Sequence, residues 1–178
     1  MDGNLRWSKK HKITAQKGYI QGLNKINEII DICLERKIKF LTLFALSTEN
    51  NKRASVKIIY KIINNNLSQF LDKVKNNNKI KIKIIGEKTN LPNNIIKILS
   101  ELENQTIHNK LLNLNIAFNY GANIELLNII KKITNLSKNK KIIINEKNIK
   151  KYMYLPDTPD PDLLIRTGGY HRLSNFLL

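Results

Sequence analysis

The sequence predicts an α/β fold, a central and mostly parallel β-sheet covered by helices. Helical and strand periodicities alternate along the chain, the order that parallel sheets require. Three of the short apolar runs end in polar clusters, as strands do where a ligand site lies beyond their carboxyl ends. No internal repeat and no linker divides the 178 residues, so residues 1–178 are expected to form a single domain.

The elements follow in order. Gln16 to Arg36 carries Ile20, Leu23, Ile26, Ile30, Cys33 and Leu34 at helical spacing. Phe40 to Leu46 is a short apolar run of strand character. Ser55 to Lys75 returns to helical spacing through Val56, Ile59, Ile63, Leu67, Phe70, Leu71 and Val74. Ile80 to Ile85 alternates Ile with Lys and stops at Gly86. Pro92 suits the first turn of a helix reaching about Asn104. Leu112, Leu114, Ile116 and Phe118 alternate with polar or small residues, as in a strand. Asn123 to Ile133 is helical, and Asn145 is placed to cap a short helix through Tyr152. The Pro156–Pro161 stretch makes a rigid turn. Leu163 to Ile165 then reads as one more buried strand, left at Thr167-Gly168-Gly169.

Composition narrows the function classes. Hydrophobic content of 42% and charged content of 25% are ordinary for a soluble globular chain. The apolar runs are only a few residues long, against the ~20 that a membrane span needs. Met1 leads directly into Asp2-Gly3, so no signal peptide is expected before the domain. The single cysteine, Cys33, has no internal partner and falls in a helical apolar pattern, so a core position is expected. A cytoplasmic location follows as the expectation. The net charge of +17 comes from lysines spread along the chain among many Asn and Ile residues, as a coding bias would produce. Most are read as solvated surface. Arginine is scarce: Arg6, Arg36, Arg53, Arg166 and Arg172. Where bias favours Lys, a retained Arg marks a use for the guanidinium fork.

Four polar clusters are candidates for chemistry. Asp2-Gly3-Asn4 with Arg6-Trp7 supplies a hard oxygen ligand suited to Mg²⁺, a glycine that lets backbone N–H groups approach an anion, and a guanidinium. Read alone it is equally a turn. Ser47-Thr48-Glu49-Asn50 with Arg53 offers hydroxyls, an amide and a cation, or else a helix cap before Ser55. Asn119-Tyr120-Gly121 closes the Leu112 strand. Arg166-Thr167-Gly168-Gly169 with Arg172 and Ser174 makes a diphosphate cradle, or else a glycine turn bearing exposed arginines. There is no P-loop, and His11, His108, His171 and Cys33 lack the spacing of a zinc site. Asp157, Asp160 and Asp162 are separated by prolines and form no helical ligand face.

Taken in order, these blocks resemble the cis-prenyltransferases of the undecaprenyl-diphosphate synthase family. The resemblance rests on Met1-Asp2-Gly3-Asn4, Arg6-Trp7, Ser47-Thr48-Glu49-Asn50, Leu114-Asn115-Ile116-Ala117 with Asn119-Tyr120-Gly121, Asp160 to Gly169, and His171 to Leu178. It implies the fold of that family, with a hydrophobic tunnel for the growing chain. It also implies a reaction: addition of isopentenyl diphosphate to an allylic diphosphate, each new double bond being cis, to make a polyprenyl diphosphate. On this resemblance Asp2 binds Mg²⁺ and assists departure of the allylic diphosphate. Gly3, Asn4, Arg6 and Trp7 surround that substrate, and Ser47, Thr48, Glu49 and Arg53 line the same cleft. Asn50 matches a position linked to proton removal. Arg166, Arg172 and Ser174 hold the diphosphate of isopentenyl diphosphate. A homodimer is implied, as is peripheral membrane association through the product; nucleic acid is not an expected partner.

The sequence also departs from the family's pattern. Leu5 replaces a glycine, Ala15 an arginine, Tyr19 a histidine, Asn51 a tryptophan and Tyr170 a frequent glutamate. Against the family the chain is expected to lack a first strand and a C-terminal segment with a further Mg²⁺-ligating Glu, and so to be weak or inactive as it stands. Two alternatives remain at this point: a non-catalytic partner subunit that keeps the fold, and a basic nucleic-acid-binding protein. The retained Asp2, Asn4, Arg6, Arg166, Arg172 and Ser174 speak against the first, and an aromatic content of 7% without a nucleic-acid module against the second.

Overall fold

The structure, a computed structural model, describes residues 2–52, 56–75, 78–139 and 141–177. The elements are α1 (Asn4–Lys10), α2 (Ala15–Glu35), β1 (Phe40–Ser47), a 3₁₀ turn (Asn50–Lys52), α3 (Val56–Lys75), β2 (Ile80–Ile85), α4 (Asn93–Thr106), β3 (Leu112–Tyr120), α5 (Ala122–Ser137) and α6 (Glu146–Lys150). The expected helices and the first three strands are all present. Thr14 caps α2 by accepting from the Lys17 amide, and Asn145 caps α6 by accepting from the Asn148 amide.

The sheet has the order β1-β3-β2, and both outer strands run parallel to β3. Leu114 stands opposite Leu41 on one side and Ile82 on the other. As the middle strand, β3 is the most deeply buried element: Leu112, Leu114, Ala117 and Tyr120 have no exposed surface. Ile30 and Cys33 of α2 and Ile95, Leu99 and Leu102 of α4 pack with it into one core, where Cys33 takes the expected buried place. Two polar residues enter this core with partners. Asn115 donates to the Thr42 hydroxyl, and Thr106 donates to the Leu102 carbonyl while accepting from the Ile82 amide.

Because all three strands are parallel, their carboxyl ends lie along one edge. The β1 pairing shifts register just there, between Phe44 and Ser47. Helix α1 is held against α2 through Gly18 and Gly22. A Cβ on Gly18 would lie 2.8 Å from the Asn4 carbonyl oxygen, and one on Gly22 would lie 2.7 Å from the Asn4 Oδ1. Their four-residue spacing puts both on one helix face.

The expectation of a buried strand at Leu163–Ile165 is not met. The segment forms no strand, and its side chains are 75%, 51% and 76% exposed. Three apolar residues carry no periodicity that separates a buried strand from an extended surface segment. No described strand lies alongside to supply a ladder, and the preceding prolines supply no donors. Arg53 and Ser55 lie outside the described residues.

Candidate active site

The first and last polar clusters of the sequence meet. The Asp2 Oδ2 lies 2.8 Å from the Arg166 Nη2, an ion pair across 164 positions of sequence. The Asp2 amide donates to the Thr167 hydroxyl at 2.9 Å, and its Oδ1 accepts from the Gly3 amide at 2.7 Å. Burial of the site works against the charge on Asp2. That is the largest single influence, but the Arg166 hydrogen bond, the Gly3 amide and the fields of Arg166 and Arg6 together outweigh it and hold the carboxyl below its ordinary range.

Arg166 is the hub. It donates through Nη1 to the Ser174 Oγ at 2.9 Å and to the Arg172 carbonyl, so the turn 166–174 closes on its own guanidinium. The Arg172 Nε donates to the same Ser174 hydroxyl at 3.1 Å. Arg6, on α1, donates to the Gly168 carbonyl at 2.9 Å. The close approach of the two loops needs glycine on both sides. Gly3 and Gly168 have φ of 86° and 87°, and a Cβ on Gly3 would lie 3.4 Å from the Gly168 Cα.

This cluster is tied to the carboxyl edge of the sheet by the chain that leaves it. The Asn175 carbonyl accepts from the Ala122 amide and its Oδ1 from the Asn123 amide, which covers the start of α5. A Cβ on Gly121 would lie 2.7 Å from the Asn175 Nδ2 and 2.9 Å from the Thr48 Oγ1, so three chain segments converge there. Phe176 stacks on Phe44 of β1 at 4.5 Å between ring centroids. Asp2 and Arg166 thus share one sheet edge with Ser47 and Thr48, as the sequence led us to expect.

Other sequence-selected residues are placed differently. The Ser47 hydroxyl accepts from the Asn50 amide, so it caps the 3₁₀ turn that presents Asn50. Thr48 donates its amide to the Tyr120 carbonyl, and Glu49 is exposed. The Asn4 side chain lies against Gly22 of α2. Trp7 is exposed and stacks on His11 at 4.2 Å. Asn119, at φ 51°, donates to the Glu87 carbonyl and holds the loop after β2. Asn51, where the family's tryptophan is replaced, accepts from the Tyr60 hydroxyl at 2.6 Å.

Sequence reasoning missed a second polar group beside α5. The Tyr120 hydroxyl donates to the Glu125 Oε2 at 2.6 Å, and the Tyr154 amide donates to the Oε1 at 2.7 Å. The Tyr154 hydroxyl donates to Glu87 at 2.6 Å, and Asn128 donates to the same oxygen. Burial and these carboxylate partners push both phenols above their ordinary range. No spacing joins residues 87, 120, 125, 128 and 154 in sequence, so no local signal announces the group. A surface cavity of about 460 Å³ opens beside it, lined by Gly86, Glu87, Lys88, Asn128, Lys131 and Tyr154 among others.

An aspartate, three arginines and two glycines of positive φ are gathered where parallel strands end, a set of groups chemically suited to a phosphorylated ligand. The Prenyltransf family model, that of undecaprenyl diphosphate synthase, matches residues 1–178. The chain belongs to the undecaprenyl diphosphate synthase family. It is 39% identical over its whole length to the isoprenyl transferase of Thermotoga maritima and spans 77% of that protein. It is 38% identical to the geranylgeranyl-diphosphate-specific tritrans,polycis-undecaprenyl-diphosphate synthase of Thermococcus kodakarensis and spans 70% of it. Its fold superposes on lavandulyl diphosphate synthase from Lavandula x intermedia, solved with dimethylallyl diphosphate. The TM-score is 0.92 at 30% identity, over the whole of this chain and 79% of that one. These relatives are prenyltransferases, and the family fixes the enzyme class of this chain. They do not favour a nucleic-acid-binding protein or a non-catalytic subunit. Among the described residues no helix is long and apolar enough to cross a membrane.

Proposed function

We propose that residues 1–178 form one catalytic domain that joins isopentenyl diphosphate to an allylic diphosphate with a cis double bond, building a polyprenyl diphosphate. The observation that carries this is the meeting of Asp2 with Arg166 at the carboxyl edge of a parallel sheet, with Arg6 and Arg172 beside them. The names of the relatives support an allylic partner, since one takes geranylgeranyl diphosphate and another was solved with dimethylallyl diphosphate.

Each residue has a task in this reading. Arg166, Arg172 and Ser174 hold the diphosphate of isopentenyl diphosphate. Gly3, Asn4, Arg6 and Trp7 border the allylic diphosphate, with Ser47, Thr48 and Glu49 along the same cleft; Arg53, outside the described residues, is assigned to the same substrate. Asn50 stands where the proton is lost. The diphosphate leaves as a polyanion, so fixed cations aimed at it lower the barrier.

Mg²⁺ fits this donor set as a shared ion. Among the described residues no three carboxylate, His or Cys side chains gather to cage a metal. Mg²⁺ is commonly held by one or two carboxylates together with substrate phosphates. Asp2 is such a carboxylate: it is held ionised, its side chain is 41% exposed, and each oxygen keeps a lone pair beyond the bonds from Arg166 and Gly3. Bound there, the metal would take up charge developing on the departing diphosphate.

The growing chain needs an apolar route. Leu41 and Leu43 of β1, Ile26 and Ile29 of α2, and Ile59 and Ile63 of α3 are partly buried and pack against the core, which supports a tunnel beside these elements. A cytoplasmic enzyme that meets the membrane through its product completes the reading. So does a homodimer, for which the exposed Leu163–Ile165 run offers apolar surface. The test is incorporation of labelled isopentenyl diphosphate into farnesyl diphosphate, with Mg²⁺ and with chelator. Polyprenyl product that requires the metal supports the reading; chelator-insensitive incorporation overturns the assignment of Asp2.

A further inference from the structure

Tyr170 stands between the two halves of the cluster. The guanidinium carbon of Arg6 lies 4.3 Å from its ring centroid, and that of Arg172 lies 4.2 Å from it. These arginines come from opposite ends of the chain, and both are exposed. Among the described residues neither forms an ion pair with a carboxylate; that contact belongs to Arg166 and Asp2. Each makes one hydrogen bond to the 168–174 turn, Arg6 to the Gly168 carbonyl and Arg172 to the Ser174 hydroxyl. Each therefore has N–H groups left over for a ligand.

An exposed arginine samples many rotamers, and fixing one costs side-chain entropy. Two guanidinium groups packed against one ring also repel. An aromatic face offsets both costs, because its quadrupole attracts the cations and adds no negative charge. A carboxylate at position 170 would hold the same two arginines while cancelling part of their charge. An aliphatic side chain would leave charge and mobility unchanged.

We propose that Tyr170 is a positioning residue for diphosphate binding: its ring holds the guanidinium groups of Arg6 and Arg172 in place with their charge unspent, Arg6 for the allylic diphosphate and Arg172 for that of isopentenyl diphosphate. This rests on the reading of the cluster as a diphosphate site. The ring makes the contacts, so phenylalanine replaces tyrosine and leucine does not.

The experiment is calorimetric titration of metal-free inorganic pyrophosphate into the 178-residue chain, with a Lys131→Ala/Lys132→Ala variant as a control for general attraction to lysine. The parent, Tyr170→Phe and the lysine control should bind within about two-fold of one another. Tyr170→Leu should bind about five-fold more weakly, the loss expected for exposed cation–π contacts. In the transfer assay it should raise KM for isopentenyl diphosphate more than it lowers kcat. Tyr170 is 42% exposed, so equal thermal melts are expected and separate this effect from unfolding. Parent-like binding by Tyr170→Leu overturns the proposal, as does a loss in Tyr170→Phe equal to that in Tyr170→Leu. If the parent binds no pyrophosphate, or Arg172→Ala binds as the parent does, the diphosphate site is itself wrong and the proposal falls with it.

Discussion

Asp2 and Glu125 are both carboxylates beside the carboxyl edge of the sheet, and their surroundings differ in kind. Glu125 is 4% exposed, and its two oxygens are taken by the Tyr120 hydroxyl and the Tyr154 amide. Its neighbours are neutral donors that look inward, and they fasten α5 to the segment after α6. Asp2 is exposed, bonded to an arginine, and surrounded by guanidinium groups with N–H left over. The first group has spent its hydrogen-bonding capacity on the fold. The second has kept capacity and net positive charge for something that is not protein. A satisfied buried network stabilises; a half-exposed cluster of one sign binds.

The comparison can be broken by exchanging the kinds of damage. The largest effect is expected from Asp2→Ala. It should lower kcat by about 100-fold, the scale for removing a group that acts on developing charge, with little change in the melt. Incorporation of labelled isopentenyl diphosphate at saturating substrate is the measurement. Glu125→Ala should do the reverse. It leaves a buried phenol and a part-buried amide without acceptors, at a cost of about 3 kcal/mol of stability, while pyrophosphate binding per folded molecule stays the same. Denaturant unfolding measures the first and calorimetry the second. If the Glu125 variant loses binding at full stability, the division between the two regions is wrong.

Arg172→Ala should raise KM for isopentenyl diphosphate by about ten-fold, more than it lowers kcat, because the contact is present in the ground state as well as the transition state. An equal fall in kcat and kcat/KM would place Arg172 with Asp2 instead. The smallest effects concern pH, and they have opposite signs in the two regions. Asp2 is held below its ordinary value of 3.8, so its bridge contributes fully above that pH. The contribution is lost as pH falls through the lower, folded value. Melts of the parent and Asp2→Asn should therefore converge only in strong acid. Tyr120 and Tyr154 are raised above 10.0, so their contribution is full below pH 10 and declines above it, as the unfolded phenols ionise first. Tyr154→Phe should flatten part of that alkaline decline.

What the sequence settled by itself is local and periodic. The alternation in Leu112–Phe118 and in Ile80–Ile85, the helical stripes of α2 and α4, and the buried Cys33 each follow from spacing along the chain. The ordered blocks around Asp2, Ser47 and Arg166 were also legible, because they are contiguous strings. Tertiary structure alone decided the rest. Leu163–Ile165 carries as good an apolar run as a strand, and it is exposed because a strand exists only where a neighbour offers its ladder. The Asn4 side chain lies on Gly22 because two helices cross there. Tyr170 meets Arg6 across the length of the chain, and Glu125 closes on Tyr154 through a turn. Each of these depends on where distant segments arrive in space. Spacing in sequence fixes which face of an element a side chain takes, and packing of the elements fixes what that face meets.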